Sequence, residues 1–348
     1  MTKRTDAYKA AGVDIEAANL FVGRIKALVA STHTKGVVSG IGGFGGLYKP
    51  DLSQIASPVL VASTDGVGTK LKLAFALDGH DTVGIDLVAM NVNDVLVQGA
   101  KPLFFIDYFA TGALDLGIAE RVVAGIVEGC KQAGCALLGG ETAEMPGFYP
   151  PGEYDLAGFC VGLVDNERIV DGSRIAVGDA VIGLGSSGLH SNGYSLARKI
   201  LEQSGLSPSL PLPGDGRSVR EVFLAPTRIY VRAVRNLMRD LPIKGMAHIT
   251  GGGFYDNIPR VLPEAVSVRI RHGSWESQPL FEWLMATGEL AWPEMLQVFN
   301  CGVGFVLIVG KDAAEDCLNR LRGMDQPAWR IGEVVKRKGD AEQVEVLF

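Results

Sequence analysis

Two neighbouring segments concentrate side chains that could hold a phosphate-bound cation. Residues 62–70 place Asp65 and Lys70 in a glycine-containing turn, directly after the apolar run 59–62, which predicts a buried strand. Carboxylate oxygens are ligands that Mg²⁺ prefers, and a lysine can neutralise phosphate charge. The pattern therefore predicts a site where Mg²⁺ meets the phosphates of a substrate.

The second segment, residues 85–94, is apolar almost all round and predicts a buried helix. Asp86, Asn93 and Asp94 fall on one side of this helix at about 100° per residue. Because buried carboxylates are costly without a cation or hydrogen-bond donors, we expect this side to face the same site. The alternative is that these acids cap helix ends or form ion pairs with lysine or arginine.

Strands alternate with helices along the chain, which predicts an α/β or α+β fold with mixed sheets. A polar connection after Val164 predicts a first domain over 1–170 and a second over 171–348. In the first domain we expect an extended arm over 1–15, helices near 16–30, 84–99 and 117–133, and strands near 58–64, 102–109, 135–138 and 155–164. In the second we expect strands at 180–184 and 304–309, helices at 195–203, 226–240 and 312–323, and a short helix before Pro259.

Composition narrows the class of protein. The 348 residues carry a formal charge of −6 with acids and bases mixed and no basic tract, so we expect no nucleic-acid partner. The sequence has no apolar run of about 18 residues and no signal peptide, which predicts a soluble, cytoplasmic protein without a membrane partner. Five cysteines in no paired metal pattern predict reduced, mostly buried thiols.

A glycine-rich loop spans residues 36–46. Residues 40–45 match G-x-G-x-x-G, but Pro50 follows too soon for the helix that a dinucleotide site requires. We interpret the loop, including Gly42, Gly43, Phe44 and Gly45, as a lid over phosphates; a plain surface loop is the alternative.

Three further groups sit where a ligand could bind. Glu141 follows the apolar run 136–138 and is either a metal or phosphate ligand or a solvated loop acid. Residues 185–195 link a strand to a helix and combine glycines, hydroxyls and His190, which favours an anion; a simple helix cap is the alternative. His248 precedes three glycines and is either a binding or catalytic residue or a structural histidine.

The chain resembles the phosphoribosylformylglycinamidine cyclo-ligase family of purine biosynthesis, also called aminoimidazole ribonucleotide synthetases. The resemblance covers almost the whole chain, from residue 8 to residue 334. Five motifs carry it in order: TDGVGTK at 64–70, GIDLVAMNVND at 84–94, GGETAEMP at 139–146, GLHSNGYS at 188–195 and HITGGG at 248–253.

The resemblance implies a two-domain fold in which the N-terminal domains of two chains pair into a central barrel, giving a homodimer. It also implies a reaction in which ATP and formylglycinamidine ribonucleotide give aminoimidazole ribonucleotide, ADP and phosphate. In this reaction ATP would convert the formyl amide oxygen into an iminophosphate, which the neighbouring amidine nitrogen displaces. The first domain would then bind ATP, metal and the partner chain, and the second would complete the active site.

On the same resemblance we expect specific roles for the matching residues. The substrate or its ribose phosphate would face His190, Ser191 and Asn192. The expected catalytic residues are Lys70, His190 and His248; the expected ATP-binding residues are Gly42, Gly43, Phe44, Gly45, Asp65, Gly66, Thr69, Asp94 and Asn192; the expected Mg²⁺ ligands are Asp65, Asp94 and Glu141.

Two other functions remain open at this point. Selenophosphate synthetase and thiamine-phosphate kinase share an Asp-rich ATP site, but the former needs a reactive cysteine or selenocysteine near its N-terminus, and the first cysteine here is Cys130. A non-catalytic nucleotide-binding subunit is the second alternative. The joint presence of Asp65, Lys70, Asp94, Glu141 and His248 argues against it.

Overall fold

The chain divides into two compact units. The computed structural model describes Ala7 and residues 9–348. The first unit runs to Val95 and resumes over Ala100–Asp165, and the second contains Leu96–Gly99 and Asn166–Phe348.

Part of the arm predicted over 1–15 falls on residues 1–6 and 8, which lie outside the described residues. Lys9 and Ala10 are helical, so the prediction of an extended backbone is wrong there. The amide of Ala11 donates to the carbonyl of Ala7 over 3.2 Å, as in one helical turn.

The first unit builds a four-stranded sheet with helices. Its strands lie in the order β1-β4-β2-β3, and only β2 and β3 are parallel, because a helix connects them. The elements are α1 (Ile15–Ala30), β1 (Pro58–Gly66), α2 (Lys70–Ala76), α3 (Val83–Val97), β2 (Lys101–Thr111), α4 (Leu116–Ala133), β3 (Ala136–Glu144) and β4 (Tyr154–Asp165).

The two faces of this sheet differ in burial. Phe105 and Cys160 on one face are fully buried. The opposite face carries Leu60, Tyr108 and Phe159, whose exposed fractions are 68%, 41% and 41%. The strand registers place these three side chains on the same side of the sheet.

Glycines let helices α3 and α4 approach each other closely. A Cβ atom at Gly84 would collide with the backbone of Val122 and Ile126, and one at Gly129 would press on Val88. Because α3 carries several of the predicted site residues, this close packing fixes their position relative to α4.

The second unit builds a six-stranded sheet in the order β10-β7-β9-β5-β8-β6, in which β5 and β8 are buried along their whole length. Only the β10–β7 pair is parallel. The strands are β5 (Ala180–Gly185), β6 (Ile243–His248), β7 (Val266–Arg271), β8 (Val303–Val309), β9 (Ala328–Lys336) and β10 (Val344–Leu347). The helices are α5 (Tyr194–Ser204), α6 (Val219–Phe223), α7 (Val231–Leu237), α8 (Gly253–Asn257), α9 (Pro279–Thr287), α10 (Trp292–Val298) and α11 (Ala314–Arg322), and 3₁₀ turns lie at Asn166–Arg168, Ile258–Val261 and Lys311–Ala313.

The helix predicted over 226–240 is shorter in the structure and covers only Val231–Leu237. The residues before this helix are hydrogen-bonded to a neighbouring loop instead: the carbonyl of Pro226 accepts a hydrogen bond from the hydroxyl of Ser187. In the part of the chain that the structure describes, no helix combines the length and apolar character needed to cross a membrane.

The close contact of α3 with α4 gives a stability prediction. Gly84→Ala should lower the free energy of unfolding by about 1–3 kcal/mol, because the added methyl group has backbone on both sides. Gly23→Ala is the matched control, since, apart from its chain neighbours and the nearby backbone of its own helix, none of the described residues lies within 4 Å of a Cβ at this position. It should be neutral or slightly stabilising. Urea unfolding measures both, and equal stability of the two variants would contradict the packing described.

Candidate active site

The turn after β1 is held against helix α3. Asp65 is half-buried, and its carboxylate accepts a hydrogen bond of 2.7 Å from the amide of Gly66. The side-chain amide of Asn91, on α3, donates to the carbonyl of Asp65 over 3.3 Å. Val67 is 1% exposed and anchors the turn in the core. The backbone at Asp65 is therefore fixed, while the residue as a whole stays partly exposed.

Lys70 begins helix α2 directly after this turn, and its ammonium is buried. Its Nζ lies 2.7 Å from Oδ2 of Asp86, and both side chains are completely inaccessible to solvent. Burial lowers the pKa of Lys70, and the Asp86 carboxylate opposes that shift. Of the two sequence interpretations for Asp86, cation ligand and ion-pair partner, the structure favours the second.

The remaining predicted ligands lie on different elements of the first unit. Asn93 is buried and Asp94 is half-buried on α3, whereas Glu141 is exposed on β3 opposite Tyr108. Among the described residues, no group of three or more His, Cys, Asp or Glu side chains is arranged to hold a metal ion. The assignment of Asp65, Asp94 and Glu141 to Mg²⁺ stays a prediction.

Two polar groups in this region were not among the predicted site residues. Asp107, on β2, faces Gly158 and Gly140 on the neighbouring strands, and burial raises its pKa to about 7. Asn91 has an Oδ1 atom that is buried and lacks a hydrogen-bond partner among the described residues. The signal for Asp107 was present in the sequence, because it is the one acid in the apolar stretch 103–110.

The glycine-rich loop is tied at its base and exposed at its tip. Val38 donates to the carbonyl of Leu47 over 2.9 Å, and Lys49 donates to that of Gly36 over 2.7 Å. Phe44, at the tip, is fully exposed. No helix follows the loop directly, as expected from Pro50: the next element is strand β1, which begins at Pro58.

In the second unit, His190 organises the loop between β5 and α5. It is completely buried with φ +64°, and its Nε2 accepts from the amides of Ser187 and Arg228 at 3.2 and 3.5 Å. Nε2 therefore carries no proton in this arrangement. A Cβ at Gly304 would collide with His190 and with Tyr230, so the histidine requires glycine on β8.

The loop between β5 and α5 is also hydrogen-bonded to the triple-glycine turn at residues 251–253. The Oδ1 atom of Asn192 accepts from the amide of Gly251 over 2.9 Å. Asn257 holds the turn from the other side, donating to the carbonyls of Gly251 and Gly253 at 3.1 and 2.8 Å. His248 ends β6 just before the turn and is 5% exposed. The structure thus brings together two loops that the sequence singled out separately.

Both units match known families. Family models described as AIR synthase related protein, N-terminal domain and C-terminal domain, match residues 52–164 and 176–345. A phosphoribosylformylglycinamidine cyclo-ligase of Oleidesulfovibrio alaskensis is 67% identical over 98% of this chain and 97% of its own. That of Nitratidesulfovibrio vulgaris is 65% identical over 99% of both chains.

Solved structures of more distant proteins share the fold. A thiamine-monophosphate kinase from Stenotrophomonas maltophilia K279a has a TM-score of 0.67 at 19% identity, covering 94% of this chain and 95% of that one. The hydrogenase maturation protein HypE in complex with ATP has a TM-score of 0.63 at 20% identity, covering 94% and 90%. At these identities the likeness is one of fold alone.

The contact between Asn192 and Gly251 can be tested directly. Asn192→Ala should speed amide exchange of Gly251, because its N–H loses the acceptor. Asn192→Asp keeps an acceptor oxygen and should preserve the protection. Hydrogen exchange followed by mass spectrometry or NMR distinguishes the variants, and unchanged exchange in Asn192→Ala would show that the contact does not hold the turn.

Proposed function

The chain belongs to the phosphoribosylformylglycinamidine cyclo-ligase family, and from this membership we infer its reaction. It is a ligase that uses ATP to cyclise formylglycinamidine ribonucleotide to aminoimidazole ribonucleotide in purine biosynthesis. The observation that carries this conclusion is the identity to cyclo-ligases over almost the full length of both chains.

The chemistry of ring closure explains why ATP is consumed. An amide oxygen is a poor leaving group. Transfer of the γ-phosphoryl group to the formyl oxygen, with loss of the amide N–H proton, would give an iminophosphate and ADP. Attack by the amidine nitrogen then forms the C–N bond, breaks the C–O bond and releases phosphate. Such a transfer depends mainly on positioning and on neutralising charge.

For Mg²⁺ we propose Asp65 and Asp94 as the protein ligands, with Glu141 as a further candidate. In nucleotide sites Mg²⁺ commonly keeps several waters and uses one or two carboxylates plus substrate phosphates, so a cluster of three acids is not required. Asp65 and Asp94 are half-buried, and Asn91, on the same helix as Asp94, has a buried Oδ1 atom without a hydrogen-bond partner among the described residues; oxygen atoms of this kind suit such a hard cation. The ion would supply charge neutralisation for the phosphates of ATP.

The nucleotide-binding role of Gly66, Thr69 and the loop 42–45 is part of the same proposal. An exposed tip on a hydrogen-bonded base is the geometry of a lid, because the tip can move while the base stays in register. We expect amide exchange at 42–45 to slow when ATP and substrate bind. Equal exchange with and without ligands would contradict a lid.

We assign substrate contacts to the loops of the second unit that contain Ser191, Asn192 and His248. His190 fits a positioning role better than proton transfer, because its Nε2 already accepts two backbone hydrogen bonds. It would act by shaping the backbone around Ser191 and Asn192, where amides and hydroxyls can bind a phosphate.

The metal proposal gives a prediction about activity. Asp65→Asn and Asp94→Asn should each lower kcat by at least about 100-fold, because each removes a negative ligand of the Mg²⁺ that would neutralise the transferring phosphoryl group. Both variants should keep the wild-type circular dichroism and unfolding midpoint. The measurement is ADP release at saturating Mg²⁺, and near-normal rates in both variants would refute the assignment.

We also predict that the protein forms a homodimer through the first unit. The exposed sheet face with Leu60, Tyr108 and Phe159 is a large apolar surface for a single chain, and a second copy of the same face would cover it. Sedimentation at micromolar concentration should show a dimer. Leu60→Glu with Phe159→Glu should yield monomers, and a wild-type monomer would contradict the proposal.

A further inference from the structure

The buried ion pair between Lys70 and Asp86 connects the two segments that carry the proposed ATP site. Lys70 is the first residue of α2, immediately after the turn that begins at Asp65. Asp86 lies in the first turn of α3, the helix that also carries Asp94. Their charged atoms are 2.7 Å apart with no solvent access.

A lysine in this environment is poorly placed to touch a phosphate. To reach one, its ammonium would have to leave a closed pocket and give up its ion pair with Asp86 in the interior, which is strongly unfavourable. Lys72, two residues after Lys70 on the same helix, has a different environment. It pairs with Glu153 at 2.6 Å on the surface, where its side chain is 45% exposed.

The ion pair acts together with a second contact. Asn91, about one and a half turns after Asp86 on α3, donates to the carbonyl of Asp65. The turn from Asp65 to Lys70 is therefore fastened to α3 at both of its ends. Any change in either contact would alter the position of Asp65 relative to the helix that carries Asp94.

We propose that Lys70 and Asp86 are positioning residues, which set the spacing of Asp65 and Asp94 and do not themselves contact ATP. This inference rests on the proposed function for its kinetic consequence, but its structural part does not. It replaces the sequence-based expectation that Lys70 neutralises phosphate charge. Displacements of a catalytic group by about 1 Å can cost about 100-fold in rate, so a tie of this kind has a measurable effect.

The structural part is tested by amine labelling of the full-length wild-type enzyme, with peptide mapping by mass spectrometry. Lys72 should react with an N-hydroxysuccinimide ester, whereas Lys70 should stay unmodified both with and without a non-hydrolysable ATP analogue. Labelling of Lys70 in the free enzyme that the analogue suppresses would overturn the proposal. This result does not depend on catalytic activity.

The kinetic part uses Lys70→Met, Asp86→Leu and the double variant, with Lys72→Met as the matched control. The double variant removes both charges together, so it should fold even where a single variant does not. We expect its kcat to fall at least about tenfold with the KM for ATP within about threefold of wild type, and Lys72→Met to stay within about twofold in both. A rise in the KM for ATP with unchanged kcat would identify Lys70 as an ATP contact, and wild-type kinetics would show that the pair positions nothing.

Discussion

The ion pair between Lys70 and Asp86 constrains the first unit more than any other single contact described. Two charges with no solvent access remain stable only while both partners stay in place, so α2 and α3 cannot shift independently. The turn from Asp65 to Lys70 is thereby set against the helix that carries Asp94. Proposed Mg²⁺ ligands on a rigid base would suit phosphoryl transfer, because its catalysis consists largely of positioning and charge neutralisation.

Glycine supplies the complementary constraint in both units. At Gly84 it allows α3 to lie directly on α4, and at Gly304 it leaves room for the buried ring of His190. In the turn after β6, Gly252 and Gly253 adopt positive φ angles of 89° and 58°, which glycine adopts without strain. The high glycine content therefore reflects close packing around the candidate site as well as loop flexibility.

The sequence predicted the positions of helices and strands whose hydrophobic pattern is strong. The helix predicted over 84–99 spans Val83–Val97, and the strand predicted over 155–164 spans Tyr154–Asp165. Strand β9 was missed because its exposed residues recur every third position, so the usual alternation of a strand is absent. The sequence allowed an ion pair for Asp86 but did not identify Lys70 as its partner, because that contact depends on how α2 crosses α3.

The central claim is that ATP activates the formyl oxygen of the substrate for ring closure. The most direct measurement uses formylglycinamidine ribonucleotide labelled with ¹⁸O in the formyl group, followed by mass analysis of the products. Because the C–O bond breaks while the oxygen is attached to phosphorus, inorganic phosphate should carry one ¹⁸O per turnover, with ADP as the nucleotide product. Unlabelled phosphate together with ¹⁸O in water would contradict direct activation by ATP.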